Sequence, residues 1–114
     1  MTESSCIFCK IINKEIPASF VKENDNVIVV KDLYPKAPIH YLIIPKKHIK
    51  NIQSLSAQDR EIAADILFMA QELAETLPKP TAFKLVSNNG TEPGQGQHIF
   101  HIHVHFLAGK LSDL

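Results

Sequence analysis

Three histidines stand at alternate positions late in the chain, in His101-Ile102-His103-Val104-His105, and run into Phe106-Leu107. Extended backbone sends successive side chains to opposite faces, so this spacing puts the imidazoles on one face and Ile102, Val104 and Phe106 on the other. A helix turns about 100° per residue and would spread the rings over about 200° of arc, and the β-branched residues between them favour a strand. One strand over Phe100 to Ala108 is therefore expected to be half core and half active site.

At 114 residues the chain has the size of one domain, able to bury a core without disulfides and too small for two cores. A single domain over 1–114 is expected, with 1–18 as an amino-terminal arm. Twelve Lys and Arg balance twelve Asp and Glu, for a formal net charge of zero. A nucleic-acid surface shows a basic excess, so no nucleic-acid partner is expected, and neither is attraction to a membrane. No apolar run nears the roughly 20 residues of a membrane span, and Met1 to Lys10 lacks a cationic stretch followed by an apolar one. The expected setting is the cytoplasm. Both cysteines lie in Cys6-Ile7-Phe8-Cys9, too close together to staple a secreted fold, which leaves metal binding, redox chemistry or plain burial.

Between these motifs the pattern is mixed. Cys6 to Ile12 suits a short helix ended before Pro17. Phe20 to Glu23 and Val27 to Lys31 flank Asn24-Asp25-Asn26, a hairpin composition. Tyr41 to Ile44 is wholly apolar and stops at Pro45, as a strand covered on both faces would be. Ser56 can cap a helix running to Leu77, with Ile62, Ile66, Met69, Leu73 and Leu77 on one face and Pro78 and Pro80 as its stop. Phe83 to Ser87 reads as a strand, and Asn88 to Gln97 as a glycine-containing loop. The expected class is α+β: an antiparallel sheet of about five strands, its first three meandering, with one long helix and a short amino-terminal one.

Three imidazoles in register can bind a metal, act as nucleophile and general acid or base, or pack. Packing gives no reason to repeat a costly polar group. Metal binding is the serious rival, since a His-x-His pair on one strand can chelate zinc. The preceding loop favours phosphate chemistry, because its glycine amides can approach an anion closely. A largely neutral imidazole can attack phosphorus covalently, while a second one donates to the leaving group or to a non-bridging oxygen. No catalytic cofactor is needed.

His101 to Leu107 resembles the His-φ-His-φ-His-φ-φ signature of the histidine-triad (HIT) superfamily, where φ is apolar, and Gly96-Gln97-His98-Ile99-Phe100 is similar to its lead-in. Asp32-Leu33-Tyr34-Pro35-Lys36-Ala37-Pro38-Ile39-His40, Leu42 to His48, Ile7 to Ile12 and Glu15-Ile16-Pro17 extend the likeness, in order, to its Hint-like branch of purine nucleoside phosphoramidases. The resemblance implies a nucleotidyl hydrolase acting on P–N or phosphoanhydride bonds of a purine nucleotide. In it His103 would be the nucleophile and His105 would bind or polarise the phosphate. Asp32 would hold the ribose hydroxyls, while His40, Asn88, Gly96, Gln97 and His98 would surround the phosphate, with Asn89 as the alternative to Asn88. His98 stands where relatives often carry Ser or Thr, which bears on how a leaving-group nitrogen is protonated. Val27, Ile28, Leu33 and Ile43 are candidates for a base pocket and equally for core.

Some members of the superfamily with this cysteine pair use it to bind zinc, which here implies Cys6, Cys9, His48 and His101 as ligands of a structural Zn2+. The resemblance also implies a two-fold homodimer with the long helix and the strand Phe83 to Ser87 near the interface and the sheets running together. Two other readings stand beside this one. The chain is then a non-catalytic, zinc-stabilised nucleotide-binding or scaffold protein, or a catalytic zinc sits on the three triad histidines.

Overall fold

The computed structural model describes residues 5–78, 81–91 and 99–109. Strands β1 (Phe20–Glu23) and β2 (Val27–Lys31) form the expected hairpin. Asn24 makes its turn: the side-chain oxygen accepts the N–H of Asn26 at 2.9 Å and that of Val27 at 2.8 Å, satisfying donors that the bend leaves over. Strand β3 (Ile39–Pro45) pairs antiparallel with β2, Ile28 opposite Ile44 and Val30 opposite Leu42.

Strands β4 (Phe83–Val86) and β5 (Val104–Ala108) complete a five-stranded antiparallel sheet in the order β1-β2-β3-β5-β4. The expected meander of β1 to β3 is present, and the last strand slots between β3 and β4. The length of β5 differs from the expected Phe100 to Ala108. Only Val104 to Ala108 join the ladder, because the Ile102 N–H donates to the Ile49 carbonyl at 2.7 Å and draws His101 to His103 away from the neighbouring strands. Alternation survives without the ladder, since Ile102 and Phe106 are both buried in one core cluster and Val104 packs against it.

The long helix begins later than its cap signal. Ser56 precedes a 3-10 turn, Ala57–Asp59, and helix α2 spans Arg60–Glu75. Asp59 organises the entry, its Oδ2 accepting the Ser56 N–H at 2.9 Å and the Ser56 hydroxyl at 3.2 Å while Oδ1 accepts Lys47 Nζ at 2.6 Å. Ile66, Met69, Ala70, Leu73 and Leu77 are buried against Val27, Val29, Ile43 and Phe106, with Ile62 packed beside them.

The opposite face of the sheet receives helix α1 (Ile7–Ile12), which Cys6 caps. Phe8, Cys9 and Ile11 pack there on Ile28, Val30, Leu42 and Ile44. Strands β2 and β3 are thus covered on both sides, as the apolar run in β3 required. No helix among the described residues is long and apolar enough to cross a membrane.

Candidate active site

His40 on β3 lies opposite Leu107, and Leu42 lies opposite His105, so β3 and β5 bring the imidazoles of His40 and His105 together on the face that carries α1. Hydrogen bonds then fix which nitrogens hold protons. His40 Nδ1 accepts the Lys36 N–H at 3.1 Å, so its proton is on Nε2. That Nε2–H donates to His105 Nδ1 at 2.9 Å, with the Asp32 carboxylate a more distant partner at 3.4 Å. His105 therefore carries its own proton on Nε2. His103 is set the other way: Nδ1–H donates to the His101 carbonyl at 2.9 Å and leaves the lone pair on Nε2. The two rings stand 5.3 Å apart, centre to centre. One thus offers an electron pair and its neighbour an N–H.

Burial keeps these groups neutral. It pushes His105 down to about 4, helped by the neighbouring imidazoles of His103 and His40. Burial also lowers His103 and His40, in each case against a smaller opposing pull from the Asp32 carboxylate. At neutral pH these lowered imidazoles are unprotonated, which leaves the His103 Nε2 lone pair available.

A cleft of about 350 Å³ opens onto this row, lined by Phe8, Asp32, Tyr34, Lys36, His40, Leu42, Asn88, Ile99, His103 and His105. An apolar cleft of about 260 Å³ adjoins it, sharing Phe8, Asp32, Tyr34, Leu42 and Ile99 and adding Ile7, Ile11 and Leu33. Of the base-pocket candidates only Leu33 lines this wall; Val27, Ile28 and Ile43 are core, at most 1% exposed. Asp32 is partly engaged, since its Oδ1 accepts the Tyr34 N–H at 2.8 Å. Asn88 lines the triad cleft, whereas Asn89 accepts the Ile52 N–H at 2.8 Å and donates to Ser87 at 3.0 Å, tying the loop down. Gly96, Gln97 and His98 lie outside the described residues.

A second cluster sits behind the cleft. Cys6, Cys9, His48 and His101 aim one donor atom each into a space where all four lie within 4.8 Å of one another. His101 Nε2–H donates to the Pro45 carbonyl at 2.7 Å, so Nδ1 presents a lone pair, only 3.2 Å from His48 Nδ1. Cys9 Sγ stands 3.2 Å from His48 Nδ1 and 3.5 Å from His101 Nδ1, and Cys6 Sγ stands 3.4 Å from the latter. Tetrahedral zinc with ordinary bond lengths has N–N edges of about 3.3 Å and S–N edges of about 3.6 Å. The set fits such an ion in donor type and spacing. His101 thus joins the cysteines, while His103 and His105 face the cleft, so the three triad histidines do not converge on one point.

Several contributors were not apparent from the motifs. Phe8, between the two cysteines, packs on both His101 and His103. The carbonyls of Pro45 and His101 and the N–H of Lys36 set three tautomers, and main-chain groups leave no mark in residue identities.

Known proteins resemble this chain in sequence and in fold. A family model described as scavenger mRNA decapping enzyme C-term binding matches residues 5–113. A HIT-like protein of Synechocystis sp. is 42% identical over 104 residues, covering 91% of this chain and 90% of its own. Among solved structures, a HIT family hydrolase from Legionella pneumophila is 44% identical with a TM-score of 0.84, over 93% of this chain and 94% of that one. A histidine triad protein from Clostridium difficile, 35% identical, reaches a TM-score of 0.88 over 100% of this chain and 98% of its own. A likeness this complete, in sequence and in fold, makes the chain a member of the histidine-triad (HIT) superfamily.

Proposed function

We propose that this protein hydrolyses a P–N or phosphoanhydride bond of a purine nucleotide, releasing a nucleoside monophosphate such as AMP through a nucleotidyl-histidine. The observation that carries this reading is the opposed pair of tautomers. A site that only cradled phosphate would present donors, but His103 presents a lone pair beside the His105 N–H.

With adenosine 5′-phosphoramidate, His103 Nε2 bonds to phosphorus as the P–N bond breaks, and the substrate nitrogen, already protonated from solvent, leaves as ammonia. The His105 Nε2–H donates to a non-bridging oxygen, where charge builds up. Positive charge on the substituted His103 ring is stabilised by its Nδ1–H bond to the His101 carbonyl. Water then attacks phosphorus, the bond to Nε2 breaks, and AMP leaves with release of a proton. Asp32 would turn to the ribose hydroxyls, with the base in the apolar cleft and Asn88, Gly96, Gln97 and His98 around the phosphate. A structural zinc on Cys6, Cys9, His48 and His101 would cross-link α1 to the segment before β5.

A homodimer is supported by Leu67 and Phe68, 64% and 63% exposed on α2, and by Phe83 on β4, the edge strand of the sheet among the described residues. Cysteines grouped as metal donors and not joined in a disulfide suit a reducing compartment such as the cytoplasm. The deciding experiment measures AMP release from adenosine 5′-phosphoramidate by wild type and His103→Ala. Release by wild type alone, with a nucleotide-protein adduct trapped on rapid acid quench, supports covalent catalysis; AMP binding without turnover by either protein would favour the scaffold alternative.

A further inference from the structure

Helix α1 has six residues, too few to hold itself in water, so its position depends on what anchors it. One anchor is the metal-binding cluster, to which Cys6 and Cys9 both contribute. Phe8 lies between them, 4% exposed, with its ring centre 4.9 Å from that of His103 and 5.9 Å from that of His101. Ile7, Phe8 and Ile11 form one wall of the apolar cleft. His101 gives its Nδ1 to the cluster and its carbonyl to the Nδ1–H of His103. Two connections therefore run from the cluster to the cleft, one through the α1 side chains and one through the His101 backbone.

We infer that the metal centre governs nucleotide affinity from behind the pocket, with Phe8 as the positioning residue that transmits the constraint from Cys6 and Cys9 to the apolar wall and to His103. This rests on the functional reading above. None of the four ligands lines either cleft, so any effect of the ion on binding travels through the elements that bear them: α1, the His101 backbone and the segment that joins His48 to β3. Without the ion, the 3.2 Å contact between the His48 and His101 Nδ1 atoms holds only if His48 carries a proton on Nδ1, so a single hydrogen bond replaces an ion tying four donors.

The test is calorimetric titration of AMP into wild type as purified, after chelation, and after zinc is restored, with metal counted by atomic emission and fold followed by circular dichroism. Chelated, folded protein should bind AMP at least about tenfold more weakly, a loss of about 1.4 kcal/mol, and zinc should restore it. Phe8→Ala should keep its metal yet lose affinity and kcat by about fivefold or more, and Phe8→Leu should regain most of the affinity because it refills the wall. The Phe8 pair decides the matter if the chelated chain unfolds. Equal AMP affinity with and without metal, a chain that takes up no zinc, or Phe8→Ala within twofold of wild type would overturn the coupling and leave the functional reading intact. Wild type that binds no AMP would overturn both.

Discussion

His40 tests the tautomer argument most directly, because its Nε2–H fixes which nitrogen of His105 holds the proton. It is 5% exposed, receives the Lys36 N–H, and passes its own Nε2–H to His105 at 2.9 Å. His40→Leu keeps most of the volume and removes that donor. His105 Nδ1 is then left without its partner, at a cost of about 1–3 kcal/mol. The ring lowers this cost by moving its proton to Nδ1, which the nearby Asp32 carboxylate can reach by a side-chain turn. The N–H that faced the phosphate becomes a lone pair. At 1.36 kcal/mol per decade, kcat for phosphoramidate hydrolysis should fall about 5- to 150-fold. KM should change less, since the base wall is untouched. His40→Gln can place an N–H near the lost Nε2 and should recover part of the rate. Steady-state kinetics on the three proteins, with His105 nitrogen shifts read by NMR, give the result; a His40→Leu enzyme within twofold of wild type, or one whose His105 keeps its Nε2 proton, would refute the reasoning.

Other consequences are more local. In an NMR titration His105, held at about 4 by burial, should stay neutral from pH 8 to about pH 5, and a midpoint near 6.5 would contradict its packing. Lys47, the largest influence, and the Ser56 N–H hold the Asp59 carboxyl below its ordinary value. A carboxyl depressed in the fold stabilises above its unfolded pKa and loses that effect as pH falls through the folded one, so in urea titrations the deficit of Asp59→Asn should be full at pH 7 and close below about pH 4. Phe106 is fully buried and stacked between Tyr41 and Phe83, so Phe106→Ala should cost about 3–5 kcal/mol, lowering Tm by about 12–20 °C in calorimetry. Leu67→Asp with Phe68→Asp should leave the helical circular dichroism intact and convert the proposed dimer to monomer in sedimentation equilibrium.

Much of this architecture can be read locally. The Asn24 turn, the α2 stripe from Ile62 to Leu77 and the alternation from His101 to Phe106 each follow from short-range stereochemistry, which residue identities record. The alternation remained correct where the strand boundary did not, because extended backbone sets side-chain direction whether or not a neighbour is hydrogen-bonded. Strand order was less legible: β5 carries no sign that it will separate β3 from β4, a choice made by long-range packing. The role of Asn89 and the core positions of Val27, Ile28 and Ile43 likewise depend on partners distant in sequence. At the site, His103 and His105 were recognisable as residues, but their opposite tautomers depend on main-chain groups of His101 and Lys36.

The insertion of β5 between β3 and β4 has a consequence for a chain emerging from the ribosome. Until Val104 to Ala108 are made, β3 lacks a neighbour on one side, β4 has none, and the thiols of Cys6 and Cys9 wait about 90 residues for His101. Loop closure over such a span is slow compared with forming the β1–β2 hairpin. A nascent or prematurely terminated chain would therefore display an open sheet and exposed thiols, a recognisable mark for chaperones and proteases, and could assemble neither the four-donor cluster nor the triad cleft before this strand had docked.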